Sequence, residues 1–92
     1  MAEVCLMNAQ SVADALAAKG CAYTAVTEPA GGAPGRVQIT DAIHVEVPAD
    51  GDVLHVVMRQ PDGEQVYGRP RKRIGYVELD ISCAIHQGWP RP

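Results

Sequence analysis

Between residues 21 and 69 the chain runs as short apolar–polar alternations cut by turn signals, and this pattern restricts it to a small antiparallel sheet. Residues 53–60 put Leu54, Val56 and Met58 on one side, a wholly apolar face. Pro61-Asp62-Gly63 follows. Proline presets the first turn residue and glycine takes the left-handed position, so the chain reverses there into a strand over residues 64–69. On the other side, Pro48-Ala49-Asp50-Gly51-Asp52 marks a second turn. Residues 36–47 read as one strand interrupted at Asp41-Ala42 by a bulge or bend. Residues 21–27 alternate Ala22, Thr24 and Val26 with Tyr23, Ala25 and Thr27. Residues 28–35, EPAGGAPG, hold too much Pro and Gly for a regular element and read as a long hairpin connection. Four antiparallel strands joined in this way form a meander, with residues 53–60 in its interior.

A sheet with one apolar face needs cover. The N-terminal part supplies a helix: Ala9, Ala13, Ala15, Ala17 and Ala18 are strong helix formers, and Asn8 or Ser11 can cap it. Ser11 followed by Asp14 resembles a capping box with a shorter acid. Val12, Ala15, Leu16 and Lys19 lie on neighbouring turns, and Gly20 is the stop. The C-terminal part carries two periods at once. Val77, Leu79, Ile81, Cys83 and Ile85 alternate as in a strand, while Ile74, Val77, Ile81, Ala84 and Ile85 form a helical stripe ended by Gly88 and Pro90. The length of the run and the need for cover favour helix. The expected fold is a single compact α+β domain over residues 1–92: an N-terminal helix, a four-stranded antiparallel meander and a C-terminal helix, with both helices on one face of the sheet.

Charge is distributed unevenly. Arg69, Arg71, Lys72 and Arg73 are four of the eight Lys and Arg residues, yet the net charge is −3. Duplex nucleic-acid coating requires a positive surplus, so the balance argues against it, while the RPRKR run keeps a focused contact with phosphate or an acidic surface open. Three arginines favour bidentate contacts, and Pro70 keeps the run extended. Only Tyr23, Tyr67, Tyr76 and Trp89 are aromatic, too few for a stacking platform along a single strand. Cys5, Cys21 and Cys83 are odd in number and widely spaced, which reads as three free thiols in a reducing, cytoplasmic setting, each most simply a small buried hydrophobe. No stretch approaches the ~20 apolar residues of a membrane span, and MAEVCLM lacks the basic start of a signal peptide.

Catalytic and metal chemistry find little support. If the 48–52 turn places Val47 opposite Asp52, then His44 falls across from His55 with Glu46 nearby, but no fourth zinc ligand is evident. Cys83 and His86 are helical neighbours without an oxyanion loop behind them. The glycines of AGGAPG precede no Lys-Ser/Thr pair and no helix, so they do not form a phosphate loop. The expectation is a non-enzymatic chain with no metal and no cofactor.

The order of elements is similar to that of the small single-domain accessory proteins of phages and mobile elements, anti-CRISPR proteins among them, in length, compactness and lack of catalytic motifs. That resemblance implies a protein-binding inhibitor that blocks a partner's working surface, the partner being a protein or a nucleic-acid-handling complex. On this reading Arg69, Arg71, Lys72 and Arg73 engage an acidic site, and Asp50, Asp52, Asp62 and Glu64 imitate phosphate. The competing readings are a nucleic-acid-binding protein using RPRKR and a small enzyme.

Overall fold

In the computed structural model, which describes residues 8–31, 33–48 and 53–88, the first element is helix α1, Ala9–Ala18. Asn8 is its N-cap. The Asn8 side chain accepts from the Ser11 backbone N–H at 2.7 Å, and the Asn8 N–H donates to the Ser11 hydroxyl at 3.1 Å. Both candidate caps thus belong to one capping box, with Ser11 as its third helical residue and not as the cap. Asp14 takes no part in the box and accepts from Gln10 Nε2 at 2.9 Å. A second device comes from far along the chain: the Glu28 carboxylate accepts from the N–H groups of Ala9 and Gln10, both at 3.0 Å. Two further orphan donors of the first turn are satisfied this way, by a charge of the sign the helix dipole favours. The buried stripe is Ala9, Val12, Ala13 and Leu16, rotated slightly from the sequence expectation, with Lys19 exposed.

The sheet has five strands, not four: β1 Ala25–Thr27, β2 Gly35–Gln38, β3 Ile43–Val47, β4 His55–Arg59 and β5 Gln65–Tyr67, in sequential antiparallel order. Residues 36–47 divide into β2 and β3 because the interruption at Asp41-Ala42 is a complete reversal. Thr40 makes it: its hydroxyl accepts from the N–H groups of Ala42 and Ile43, both at 3.1 Å, and Ile39 N–H closes onto Ile43 O at 2.9 Å. A threonine side chain here does the work usually left to Gly or Asn. Gln38↔His44 and Val37↔Val45 are then neighbours across the hairpin. The 21–27 run is a strand only in its last three residues. The 64–69 run is one over residues 65–67, although the Gly68 N–H still donates to Val56 O at 2.8 Å.

Period-two alternation separates the two faces of this sheet. Val37, Ile43, Val45, Val47, Leu54 and Val56 point to one side and are buried, joined there by Val12 and Leu16 of α1. Helix α2, Ile74–His86, completes the layer with Val77, Ile81 and Ala84. Helix α1 packs over β1 and β2, α2 packs over β4, and the helices touch each other. Each fully buried Leu or Ile in this layer contributes roughly 2 kcal/mol. Strand β4 is interior and its apolar face meets the helices, as expected from the alternation. The C-terminal segment is helical, but Ile85 is half exposed and lies outside the buried stripe.

Candidate functional site

Beyond β5 the chain crosses to α2 through residues 68–73, the basic run. It is more than a solvated connection. Arg71 pairs by its backbone with Leu54, the Leu54 N–H donating to Arg71 O at 2.7 Å and the Arg71 N–H to Leu54 O at 2.8 Å. Its side chain turns onto α2: Nε donates to Asp80 Oδ2 at 2.7 Å and Nη2 to Asp80 Oδ1 at 2.9 Å. The guanidinium also lies 5.5 Å from the centre of the Tyr76 ring. Asp80 therefore holds Arg71 still more firmly protonated than an ordinary arginine. An extended run lets several cations point outward together, and Arg71 is not one of them. Arg71 anchors the strap, because Asp80 sits one element away on the face of α2 turned toward it. Arg69, Lys72 and Arg73 remain exposed, Arg73 as the residue preceding α2.

Helix α2 brings apolar surface beside these cations. Tyr76 and Leu79 are 52% and 51% exposed, and Cys83 is exposed one turn further on. Spacings of three and four residues make them one stripe on the outward face. The thiol of Cys83 is thus on the surface and not in the core. Cys21 is half-buried, and burial, with Glu78 nearby, pushes its thiol pKa up. Cys5 lies outside the described residues. Between the strap, β4 and α2 is a groove of about 230 Å³, lined by Val56, Met58, Ala84, Cys83, Arg69 and the Arg71–Asp80 pair.

The acidic candidates lie elsewhere. Asp50 and Asp52 fall outside the described residues. Asp62 and Glu64 are exposed in the β4–β5 turn, at the end of β5 away from the strap. The Asp62 carboxylate accepts from the Glu64 N–H at 2.9 Å, which commits it to the turn.

On the sheet face away from the helices, the register differs by two residues from the expected pairing. Glu46 is opposite His55, and His44 is opposite Val57. The histidines are not partners. His55 Nδ1 lies 3.2 Å from Gly68 O, and its ring meets that of Tyr67 edge-on at 5.9 Å. The Tyr67 hydroxyl donates to Glu46 Oε2 at 3.0 Å, and this bond raises the tyrosine pKa. His44 is 4% exposed. Its Nε2 stands 3.6 Å from Glu46 Oε2, too far for a hydrogen bond, and has no other partner among the described residues. Burial first, and the charge of Arg36 second, lower its pKa. Among the described residues no three His, Cys, Asp or Glu side chains are grouped to hold a metal, and no helix is long and apolar enough to cross a membrane.

Sequence reasoning singled out the basic run but missed its neighbours Tyr76 and Leu79. Leu79 belongs only to the strand set of the 74–86 segment and Tyr76 to neither set, and only the helix puts them side by side next to the strap. No protein-family model, curated protein or solved structure matches this chain.

Proposed function

We propose that the chain is a non-enzymatic protein-binding module of the inhibitor type, and that it covers a partner's acidic working surface with the outward face of α2 and the strap before it. The observation that carries this reading is the half-exposed pair Tyr76 and Leu79 beside Arg69, Lys72 and Arg73. Tyr and Arg are the residues that concentrate binding energy at protein interfaces, and apolar contacts ringed by charge match the anatomy of such interfaces. The adjoining groove joins apolar lining to Arg69, while its Arg71 is already paired with Asp80, so it suits an apolar side chain beside a single carboxylate. Nucleic-acid binding finds less support: one of the four cations is committed to Asp80, and the net charge is −3.

The test places a photo-crosslinking side chain at position 79, and in a second preparation at position 25 on the opposite sheet face. Each is exposed to lysate of the source cell with and without nuclease. The expected result is a nuclease-resistant protein adduct from position 79 alone, competed by the parent chain and not by Leu79→Asp. Adducts to nucleic acid, equal adducts from both positions, or equal competition by Leu79→Asp would overturn the proposal.

A further inference from the structure

On the face opposite the helices, a concavity of about 320 Å³ lies over the β2–β3 hairpin, lined by Arg36, Gln38, Asp41, His44, Arg59 and Gln65. Two arginines from different strands line it, Arg36 of β2 and Arg59 of β4. Arg36 makes no ion pair or hydrogen bond among the described residues. Arg59 uses one Nη2–H on the Asp41 carbonyl at 3.1 Å, which steers its guanidinium to the rim and leaves its other donors unused. Gln38 is tied down through Nε2 to the carbonyls of Thr40 and Ile43, at 2.5 and 3.4 Å, so it shapes the wall more than it binds.

His44 is the decisive residue. Its ring is almost wholly buried beneath this concavity, yet Nε2 has no hydrogen-bond partner. A buried polar nitrogen left unpaired is destabilising, and a bound ion is one of the few things that can satisfy it. With the proton on Nε2, it is a donor in need of an acceptor, overlooked by two guanidinium groups.

From this arrangement we infer a phosphoryl-binding site: Arg36 and Arg59 clamp the oxygens of a small phosphate, His44 Nε2–H donates from below, and the Gln65 amide closes the side. Guanidinium forks suit the oxygens of a tetrahedral anion, and a donor from a third direction distinguishes it from a planar carboxylate. The volume is at the lower end for small-molecule sites, which fits inorganic phosphate or a small phosphate ester. The Asp41 carboxylate on the rim disfavours a ligand with charge spread beyond the phosphoryl group. Glu46 stands opposite Arg36 on β3, with Oε2 3.6 Å from His44 Nε2 and held by the Tyr67 hydroxyl at 3.0 Å, so an anion at this nitrogen has that carboxylate as a neighbour. The site is on a different surface from α2 and does not depend on the reading given for that helix.

The experiment titrates the full chain with inorganic phosphate at neutral pH, and separately with a short phosphoserine peptide. Nitrogen-resolved NMR follows the His44 ring, and chloride of matched ionic strength serves as control. Phosphate is expected to give saturable shifts of the His44 ring nitrogens and of the amides around Arg36 and Arg59. Arg36→Gln is expected to weaken binding by about tenfold or more, the loss of one charge-assisted contact, while Lys19→Gln leaves it unchanged. Because Arg59 also braces the hairpin, Arg36→Gln is the decisive variant and its amide spectrum reports whether the fold is retained. Tighter binding of the peptide would assign the phosphoryl group to a modified partner; equal or weaker binding would assign it to a free phosphate. Shifts that match chloride, do not saturate, or respond alike to Arg36→Gln and Lys19→Gln would overturn the inference.

Discussion

Arg71 grips both carboxylate oxygens of Asp80, at 2.7 and 2.9 Å, and so fastens the segment after β5 to the middle of α2. The same residue is bonded by its backbone to Leu54 at the start of β4. Side chain and main chain together fix where α2 begins and how it lies over β4. Arg71→Ala is therefore expected to lower the melting temperature clearly, and Arg69→Ala or Lys72→Ala hardly at all. Asp80→Asn should behave like Arg71→Ala, and the double variant should lose less than the two single losses added together, because they remove one shared interaction. The pair is partly open to water, so the loss should shrink at high salt. If Arg71→Ala melts together with Arg69→Ala, the bidentate contact contributes nothing to the fold.

Leu54 and Val56 are each 1% exposed on the inner face of β4, beneath the helices. Truncation removes transfer energy and leaves a cavity in a layer built almost entirely of aliphatic side chains. Leu54→Ala is expected to cost on the order of 2–4 kcal/mol, and Val56→Ala somewhat less. Denaturant titration measures both. Val57, buried on the opposite face between its strand neighbours His44 and Tyr67, lies outside the helix-covered core and provides the comparison. Unchanged midpoints for Leu54→Ala and Val56→Ala would mean that the helices do not rest on this face.

The β4–β5 turn places a similar demand on one glycine. Gly63 has φ +93°, a conformation that a side chain resists. Its N–H donates to Gln60 O at 2.9 Å, and the Gln60 N–H reaches Glu64 O at 2.8 Å. A Cβ added there meets no atom within 4 Å, so any penalty is conformational and not steric. Gly63→Ala is expected to cost about 1 kcal/mol, and Asp62→Ala less, through the single bond to the Glu64 N–H. A thermal melt of Gly63→Ala that overlays the parent would remove the turn from the list of stabilising features.

The class of fold, the two helices and the interior place of β4 were legible because each rests on a local signal: period, cap, or a Pro-Asp-Gly turn. The hairpin between β2 and β3 was not. Its reversal is made by the Thr40 hydroxyl, with no Gly or Pro to announce it, so residues 36–47 looked like one bent strand. The register of β3 on β4 stayed open because the 48–52 turn does not set loop length, and it differs by two residues from the pairing that turn suggested, with the facing unchanged. The basic run was visible as charge, but the commitment of Arg71 to Asp80 depends on how α2 is laid down, which no spacing within the run encodes. The concavity over the β2–β3 hairpin was hidden for a related reason. Arg36, His44 and Arg59 are scattered in sequence, and only the paired strands bring them to one face.

His44 gives the fold a dependence on pH whose sign follows from its surroundings. Burial is the largest cause lowering its pKa, the charges of Arg36 and Arg59 lower it further, and Glu46 opposes them in part. Its ordinary value of 6.5 describes the unfolded chain, and the folded value lies below. Between those two values the unfolded chain binds the extra proton and the folded chain does not. The contribution of neutral His44 is thus fully present above about pH 6.5 and is lost as pH falls through the folded value. His44→Gln has no such proton to take up. Parent and variant melts compared from about pH 7 down to about pH 5 should converge from the parent's side, the parent losing more stability than the variant. Groups common to both chains cancel in the difference. Phosphate in the concavity over this ring would favour the protonated imidazole and oppose the loss, so added phosphate should flatten the parent's acid slope and leave that of His44→Gln nearly unchanged. Parallel acid slopes for the two chains would mean that His44 takes up its proton as easily folded as unfolded, and the desolvation argument for this residue would fail.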